Sequence, residues 1–482
     1  MAGSGRGRSR TAAAVAAAVA AVLLGLAGCT GGWSPGGAGG SGAGGLGDPY
    51  FPSYGNTGYQ VDHYLLQVSY DPASKQLTGT ATIEATATVD LSGFSLDLTG
   101  LTVRSVTVDG AAATVERGDE KLVVTPAEPV PDGVGFTAVV GYDGDPEPVH
   151  SSSLGSNGFQ HSDGGAFAIG QPRSASTWFP VNDHPLDKAT YTIEATVPEG
   201  LAAVSNGVPE GRSAGPAGST TWRWSEDAEM ASYLATLVIG DYRVHESEHR
   251  GKPLVTAVHA DLSVQVDRQL AASGRIADVL EEWFGPYPFD AYGGIALADQ
   301  RVGFALETQS RPVYGPSFFA GGRDGTGVIV HELAHQWFGN SVSVRGWNEL
   351  WLNEGFATYA EWLYEERDGG DTAQETFDLY WDGPGAEDRF WSPATGDPGP
   401  AQLFSHAVYV RGAMTLHALR RTVGDDTFFQ ILRDWATEMA GGNAGSADLV
   451  ALSERVAGRD LGGLFDQWLY RIDRPAYPGA AG

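Results

Sequence analysis

Apolar and polar residues alternate in short runs over the first half of the chain, a pattern typical of β-strands. Examples are Tyr64 to Tyr70, Thr80 to Val89 and Tyr191 to Val197, which are separated by Gly, Pro and Asp turns. From Tyr59 to about Tyr242 we therefore predict an all-β domain.

The apolar residues change to a helical spacing from about Asp267 onwards. The segments with this spacing are Gln269 to Phe284, Gly327 to Phe338, Leu350 to Arg367, His406 to Val423 and Asp425 to Met439. The pattern predicts an α+β multidomain protein, in which an antiparallel β-domain precedes a mainly helical domain. No repeat with a period of about 20 to 50 residues is visible, which argues against a solenoid.

The N-terminus has the composition of a secretory signal. Basic residues precede an apolar run from Ala12 to Ala27, which is shorter than the about 20 apolar residues of a membrane span. The run ends in Leu-Ala-Gly-Cys, and this ending resembles the lipobox of bacterial lipoproteins. Cys29 is the sole cysteine of the chain. We therefore expect a lipid on Cys29 and an extracytoplasmic protein anchored to the membrane; a cleaved signal and a secreted protein are the alternative.

Residues 30 to 47 are mostly Gly, Ser and Ala, the composition of a flexible tether. Together with the change of period, this divides the chain into five predicted parts. They are a lipoprotein signal (1–29), a tether (30–56), the β-domain (57–245), the helical domain (246–475) and a tail (476–482).

The overall charge excludes one class of partner. The chain has 30 Lys and Arg against 59 Asp and Glu, a formal net charge of −29. Such a surface repels the phosphate backbone, so we expect no nucleic-acid partner. The hydrophobic share of 42% is that of a folded globular protein.

A candidate metal site lies in the segment Val-Ile-Val-His-Glu-Leu-Ala-His. His331 and His335 stand four residues apart, which places both imidazoles on one face of a helix within reach of one ion. Glu332 follows the first histidine and is placed to accept a proton from water as a general base.

A third candidate ligand, Glu354, follows His335 by nineteen residues on the next predicted helix. Three protein ligands with an open position are typical of catalytic rather than structural zinc. Nitrogen and oxygen donors suit zinc, although the residue types alone leave another divalent ion open.

Four segments carry a resemblance to a known family. They are HELAHQWFGN from His331, WLNEGFATY from Trp351, STWFPVNDHPLDKATYTIEATVP from Ser176 and MASYLATLVIGDY from Met230. Together they resemble the aminopeptidase N family of zinc metallopeptidases, which includes the leukotriene epoxide hydrolase branch. The resemblance implies a saddle-shaped β-domain, a thermolysin-like catalytic domain and one Zn²⁺ per chain.

The resemblance also implies roles for single residues. Tyr409 matches the family tyrosine that donates a hydrogen bond to the oxyanion. Glu307 matches the glutamate that binds the free amine of the substrate, and Gln171 and Ala305 match further substrate contacts. Around Glu307 the chain has Phe304 and Thr308 where the family motif has Gly and Asn, which implies a different shape for the first side-chain pocket.

The match ends near Leu469, with about a dozen residues to follow. We therefore expect a short two-domain form with an open cleft, without a counterpart of the large helical C-terminal domain that the resemblance to the family would otherwise imply.

These observations lead to one functional hypothesis and two alternatives. We expect a monomeric zinc aminopeptidase that hydrolyses the first peptide bond of peptides with a free N-terminus. An endopeptidase or epoxide hydrolase on the same zinc site is one alternative. A surface lipoprotein that binds peptides without turnover is the other.

Overall fold

Strands dominate the first half of the chain, as the alternating pattern predicts. The computed structural model describes residues 40–42, 44–151, 155–216, 218–322 and 324–478, and the predicted lipid site Cys29 lies outside them. In chain order the strands are β1 (Gly40–Gly42), β2 (Tyr59–Asp71), β3 (Gln76–Ala87), β4 (Leu91–Asp97), β5 (Thr102–Val108), β6 (Ala111–Ala112), β7 (Thr114–Arg117), β8 (Lys121–Thr125), β9 (Gly135–Gly144), β10 (Val149–Ser151), β11 (Gly155–Ser162), β12 (Gly165–Ile169), β13 (Lys188–Pro198), β14 (Ala202–Ser205), β15 (Val208–Ala214), β16 (Ser219–Ala231), β17 (Leu237–Gly240), β18 (Tyr242–His249), β19 (Lys252–His259), β20 (Tyr292–Ala296), β21 (Ala305–Leu306), β22 (Val313–Tyr314), β23 (Ser343–Val344) and β24 (Asn443–Ala444).

An eight-stranded sheet forms the centre of the β-domain, with the strand order β15-β16-β13-β2-β3-β9-β5-β6. Tyr64, Leu66, Val68 and Tyr70 of β2 are all buried on one face of this sheet. A shift of one residue in register would turn this apolar set to the other face, so the alternation fixes the pairing. Two further sheets of this region have the orders β1-β4-β8-β7 and β10-β11-β12-β17-β14.

Helices dominate the second half. They are α1 (Val264–Leu270), α2 (Ser273–Phe284), α3 (Thr326–Ala334), α4 (Trp351–Arg367), α5 (Ala373–Asp382), α6 (Gly412–Val423), α7 (Asp425–Glu438), α8 (Ser446–Ala457) and α9 (Gly462–Phe465). Two π-helical turns, Ala407–Arg411 and Asp466–Tyr470, precede α6 and follow α9. Short 3-10 turns lie at Ala175–Thr177, Ser232–Leu234, Pro316–Gly322, Trp347–Glu349, Pro384–Ala386, Asp388–Trp391 and Pro400–Gln402.

The fold class is confirmed, with a difference in detail. A five-stranded sheet of order β18-β19-β20-β22-β21 lies in the predicted helical half. The strands β20 to β22 have two to five residues, too few to give a readable alternation. The helix predicted from Gly327 to Phe338 ends at Ala334, and the chain then turns through Gly339 at a φ of +128°. Within the described ranges, no helix has the length and apolar character needed to cross a bilayer.

Lys188 at the start of β13 joins the β-domain to the loop that follows α3. Its ammonium group donates to the carbonyl oxygens of Asn340 and Ser341, each at 3.0 Å, and to that of Gly442 at 3.3 Å. Burial lowers the pKa of Lys188 to about 8. The lysine is therefore held by backbone dipoles, which fix this loop against the β-domain.

Helices α4 and α6 approach each other through glycines. A Cβ atom added to Gly355 would lie 2.9 Å from the backbone Cα and C atoms of Gly412. Gly355 follows Glu354, and Gly412 comes three residues after Tyr409. The glycine contact therefore brings two candidate site residues together.

This contact predicts that a Gly-to-Ala change will lower the stability of the protein rather than raise it. A Gly-to-Ala change inside a helix ordinarily stabilises by about 1 kcal/mol, but Gly355→Ala should lower the free energy of unfolding by about 1–3 kcal/mol because the helices must separate. Urea denaturation measures the change. Gly463→Ala in α9, where an added Cβ meets no atom within 4 Å, is the matched control and should be neutral or stabilising. Equal behaviour of the two variants would contradict the packing argument.

Candidate metal centre and active site

Helix α3 presents two histidines whose Nδ1 atoms each lie against an oxygen atom. His335 places Nδ1 3.0 Å from the carbonyl oxygen of Phe338, and His331 places Nδ1 2.7 Å from Oε1 of Glu361. A ring nitrogen that donates to an oxygen carries the proton, so the opposite nitrogen has a lone pair available for a metal. Both histidines are buried.

Glu354 on α4 completes the cluster. Its Oε2 atom lies 3.3 Å from Nε2 of His331 and 3.3 Å from Nε2 of His335. Burial alone would raise the pKa of the Glu354 carboxyl, but the two histidines lower it to about 2. Glu354 is therefore a carboxylate, the form that binds a cation.

The donor set fits zinc. Atoms bound to one tetrahedral zinc at about 2.0–2.1 Å lie about 3.3 Å from one another, and the two distances from Glu354 to the histidines have this value. The three side chains offer two imidazole nitrogens and one carboxylate oxygen within 4.8 Å of one another. Three protein ligands leave a fourth position for reactants.

Glu332 also lies on α3, and its carboxyl group belongs to a second cluster of side chains. Its carboxylate forms a second close group with Glu307 and His335, whose ligand atoms all lie within 4.8 Å. Burial raises the pKa of Glu332 to about 8, although His331 and His335 act in the opposite direction. A carboxyl with such a pKa can accept and return a proton near neutral pH.

Glu307 follows β21 and is 2% exposed. Its Oε1 atom accepts hydrogen bonds from Nε2 of Gln171 and from the hydroxyl of Tyr233, both at 3.0 Å. Its carbonyl oxygen accepts from the side chains of Asn340 at 2.7 Å and Gln336 at 3.3 Å. Burial raises the pKa of Glu307.

Tyr409 stands on the π-helical turn before α6. Its ring lies parallel to that of His331, with 6.0 Å between the centroids and 13° between the planes. Burial and the nearby Glu354 raise the pKa of Tyr409 well above its usual value. The phenol is therefore a neutral donor. Single-turn π-bulges are frequent at functional sites because they redirect one side chain.

One cavity of about 450 Å³ contains the cluster. Besides the polar site residues, its lining is apolar and comes from β21 and the residue before it, a 3-10 turn, α3 and the segment before the π-helical turn: Phe304, Ala305, Leu306, Phe318, Val328 and Phe404. Of the two departures in the Glu307 segment, Phe304 lines this cavity. Thr308 is instead buried, and its hydroxyl donates to the carbonyl oxygen of Arg311 at 2.6 Å. Of the two replaced residues, Phe304 is therefore the one whose side chain can change the shape of the cavity.

The structure brings together all the predicted site residues that it describes, namely His331, His335, Glu354, Glu332, Glu307, Gln171, Ala305 and Tyr409. It adds two that the sequence did not single out. Glu361 stands seven residues after Glu354 on the same helix, a spacing of two turns that could have indicated a shared face. Tyr233 lies within the segment that begins at Met230, but nothing in its spacing pointed to the site.

Family models match both halves of the chain. The Peptidase M1 N-terminal domain matches residues 60–234, and the Peptidase family M1 domain matches residues 269–468. The chain belongs to peptidase family M1. The resemblance to the aminopeptidase N family and the zinc cofactor that it implied are both confirmed.

Individual M1 relatives differ in length. Aminopeptidase N of Canis lupus familiaris is 31% identical over 54% of this chain and 29% of its own length. Aminopeptidase M1 of Arabidopsis thaliana is 26% identical over 88% of this chain and 51% of its own length. The chain thus spans about half or less of these relatives. By contrast, the crystal structure of an M1 zinc metallopeptidase from Deinococcus radiodurans is 29% identical, with a TM-score of 0.81 over 91% of this chain and 99% of that one.

The hydrogen bond from His331 to Glu361 predicts an effect on metal affinity. Glu361→Gln should weaken zinc binding about 10- to 100-fold, because the amide no longer orients and polarises the imidazole. Competition with a chromophoric chelator measures the affinity. Glu365→Gln, an exposed position on the same helix, is the control and should bind zinc as the wild type does. Unchanged affinity of the Glu361 variant would exclude this supporting role.

Proposed function

We propose that this M1 protein is a zinc-dependent aminopeptidase. The observation that carries the proposal is the position of Glu307, a buried carboxylate beside Glu332 and His335. A peptide that enters with a free α-ammonium would neutralise this carboxylate and place its first peptide bond at the metal site. A peptide without that charge would leave the carboxylate desolvated and unpaired, which is costly.

His331, His335 and Glu354 are the residues that would hold the zinc ion. Zinc in such a site supplies a Lewis acid that polarises a carbonyl group and makes water a better nucleophile at neutral pH. The imidazoles are held in orientation by Glu361 and by the carbonyl oxygen of Phe338.

The remaining chemistry belongs to the side chains around this cluster. Glu332 takes the proton from the attacking water and returns it to the leaving amine. Tyr409 donates its phenolic hydrogen to the oxygen that gains negative charge, and its high pKa keeps that hydrogen available. Glu307 sets which bond reacts, because the carbonyl of the first peptide bond belongs to the same residue as the amine bound there. Gln171 and Ala305 contribute to the wall around that residue.

A solved relative supports a peptide substrate. A mutant of the Deinococcus radiodurans M1 zinc metallopeptidase was crystallised bound to Tyr-ser-ala substrate, and it is 28% identical to this chain with a TM-score of 0.82. The match covers 100% of the relative's chain and 91% of this chain. The two-domain form is therefore sufficient to bind a short peptide in that relative.

The test uses fluorogenic aminoacyl substrates and their N-acetylated counterparts. We expect turnover of the free-amine substrates, loss of turnover with a chelator and recovery with zinc. Glu332→Gln should keep its zinc, measured by atomic absorption, and lose about 10²- to 10⁴-fold in kcat because the proton acceptor is gone.

Other results would favour the alternatives. Equal turnover of free and acetylated peptides would indicate an endopeptidase. Turnover of an epoxide alone would indicate an epoxide hydrolase, and peptide binding without turnover would indicate a binding protein. Normal activity of Glu332→Gln would contradict the assigned proton transfer.

We further propose that the protein acts as a monomer held outside the cytoplasm by a lipid on Cys29. The support is the sequence before residue 30, which has a lipobox-like end and the sole cysteine. The described residues of one chain supply the candidate zinc ligands and the general base together, so the site needs no residue from a second copy.

The anchor predicts a change of location. In a bacterial host, Cys29→Ser should move the full-length protein from the membrane fraction to the soluble fraction and abolish labelling with radioactive palmitate. Two acyl chains hold a protein firmly, at about 0.8 kcal/mol per buried CH₂. Activity per molecule should be unchanged, which serves as the control for folding. A wild type that fractionates as a soluble, unlabelled protein would overturn the anchor.

A further inference from the structure

The hydroxyl of Tyr233 is directed at the carboxylate that we propose binds the substrate's amine. Tyr233 lies in the 3-10 turn Ser232–Leu234 of the β-domain region and is 1% exposed. Its hydroxyl donates to Oε1 of Glu307 at 3.0 Å. Its ring packs edge-on against Trp347, with 5.2 Å between the centroids. Both the ring and the hydroxyl of Tyr233 are thus held in place by buried neighbours.

The two side-chain donors to Glu307 share one oxygen. Gln171 donates to the same Oε1 atom, also at 3.0 Å, and neither of these side chains donates to Oε2. The backbone of Glu307 is held independently by Asn340 and Gln336. Both side-chain donors therefore fix the carboxylate through Oε1, which leaves Oε2 for a ligand.

Both donors are neutral, which matters for the chemistry of the site. An arginine or lysine in their place would neutralise Glu307 and remove its attraction for a cation. A phenol and an amide stabilise the carboxylate by hydrogen bonding and leave its net charge in place. Burial and Glu307 raise the pKa of Tyr233 well above its usual value, so the phenol keeps its hydrogen.

We propose that Tyr233 is a positioning residue for recognition of the free N-terminus, because it orients Glu307 so that Oε2 meets the substrate's primary ammonium. The inference rests on the proposed aminopeptidase function. It adds that recognition of the amine depends on a hydroxyl group contributed by the β-domain region, which itself touches no substrate atom.

The test is Tyr233→Phe, which removes the hydroxyl and keeps the ring. The amine contact exists in both the bound substrate and the transition state, so its weakening should raise KM more than it lowers kcat. We expect KM for a free-amine substrate to rise about 10-fold or more, as for loss of a hydrogen bond to a charged group. The preference for free over N-acetylated substrate should fall by a similar factor, while the zinc content stays unchanged.

Tyr59→Phe is the matched control. Tyr59 is also buried and donates one hydrogen bond, to the carbonyl oxygen of Ser95 at 2.6 Å, but that bond lies within the β-domain away from the cavity lining. The control should leave KM and the amine preference unchanged. Both quantities are independent of the concentration of folded enzyme, so partial misfolding does not affect them. If Tyr233→Phe yields no folded protein, Tyr233→Leu removes the same hydroxyl and should show the same loss of preference.

Wild-type KM and wild-type preference in the Tyr233 variants would overturn the inference, as would a fall in kcat alone that Tyr59→Phe reproduces. These outcomes differ from failure of the proposed function, in which the wild type itself shows no preference for a free amine. A further check is Gln171→Leu, which removes the second donor to Oε1. It should raise KM in the same way, and the combined variant should show a non-additive effect because both donors hold one oxygen.

Discussion

Buried negative charge is the constraint on which the rest of this structure depends. Glu307, Glu332 and Glu354 are each 5% exposed or less, and all three surround His335. Carboxylates in such a setting are costly unless opposite charge or hydrogen bonds compensate them. Two histidines supply part of the compensation and a divalent cation would supply more. Burial otherwise raises the pKa of Glu307 and Glu332 and favours their neutral forms, so a metal ion and a cationic substrate group would stabilise the ionised site.

The hydrogen bonds that hold Glu307 in place come from both halves of the chain. Gln171 and Tyr233 belong to the β-rich half, whereas Asn340 and Gln336 follow the metal-binding helix. Lys188 in turn holds the Asn340 loop against β13. The position of one carboxylate is thus set by contacts across the whole protein. This explains physically why the β-domain is part of the enzyme rather than an accessory to it.

Some residues of the site could be predicted from their spacing in the sequence, others only through the resemblance to a family, and two were missed. His331, Glu332 and His335 could be found because one helical turn fixes their relation. Glu354 was indicated by its position on the next predicted helix, whereas Glu307 and Tyr409 lie on other elements and needed the resemblance to a family. Tyr233 and Glu361 were missed because a tyrosine in a strand-rich segment is typical of a core, and a glutamate late in a helix is typical of a solvated face.

Local conformation was predicted less well than chemistry. The short strands β20 to β22 have too few residues to show a period, yet they form part of the sheet from which Glu307 emerges. Phe304 and Thr308 are equal departures in the sequence. Their different positions depend on the backbone conformation of this segment. It places Phe304 in the lining of the cavity, whereas the hydroxyl of Thr308 donates to the carbonyl oxygen of Arg311.

The glycine contact between α4 and α6 has a consequence for how such an enzyme can change. Backbone touches backbone where Gly355 meets Gly412, so the spacing between Glu354 and Tyr409 is set by main-chain atoms, and any larger residue at this contact would push the two helices apart. The apolar wall around Phe304 has no such restriction. Divergence in substrate preference can therefore accumulate on that wall while the reactive centre keeps the same dimensions.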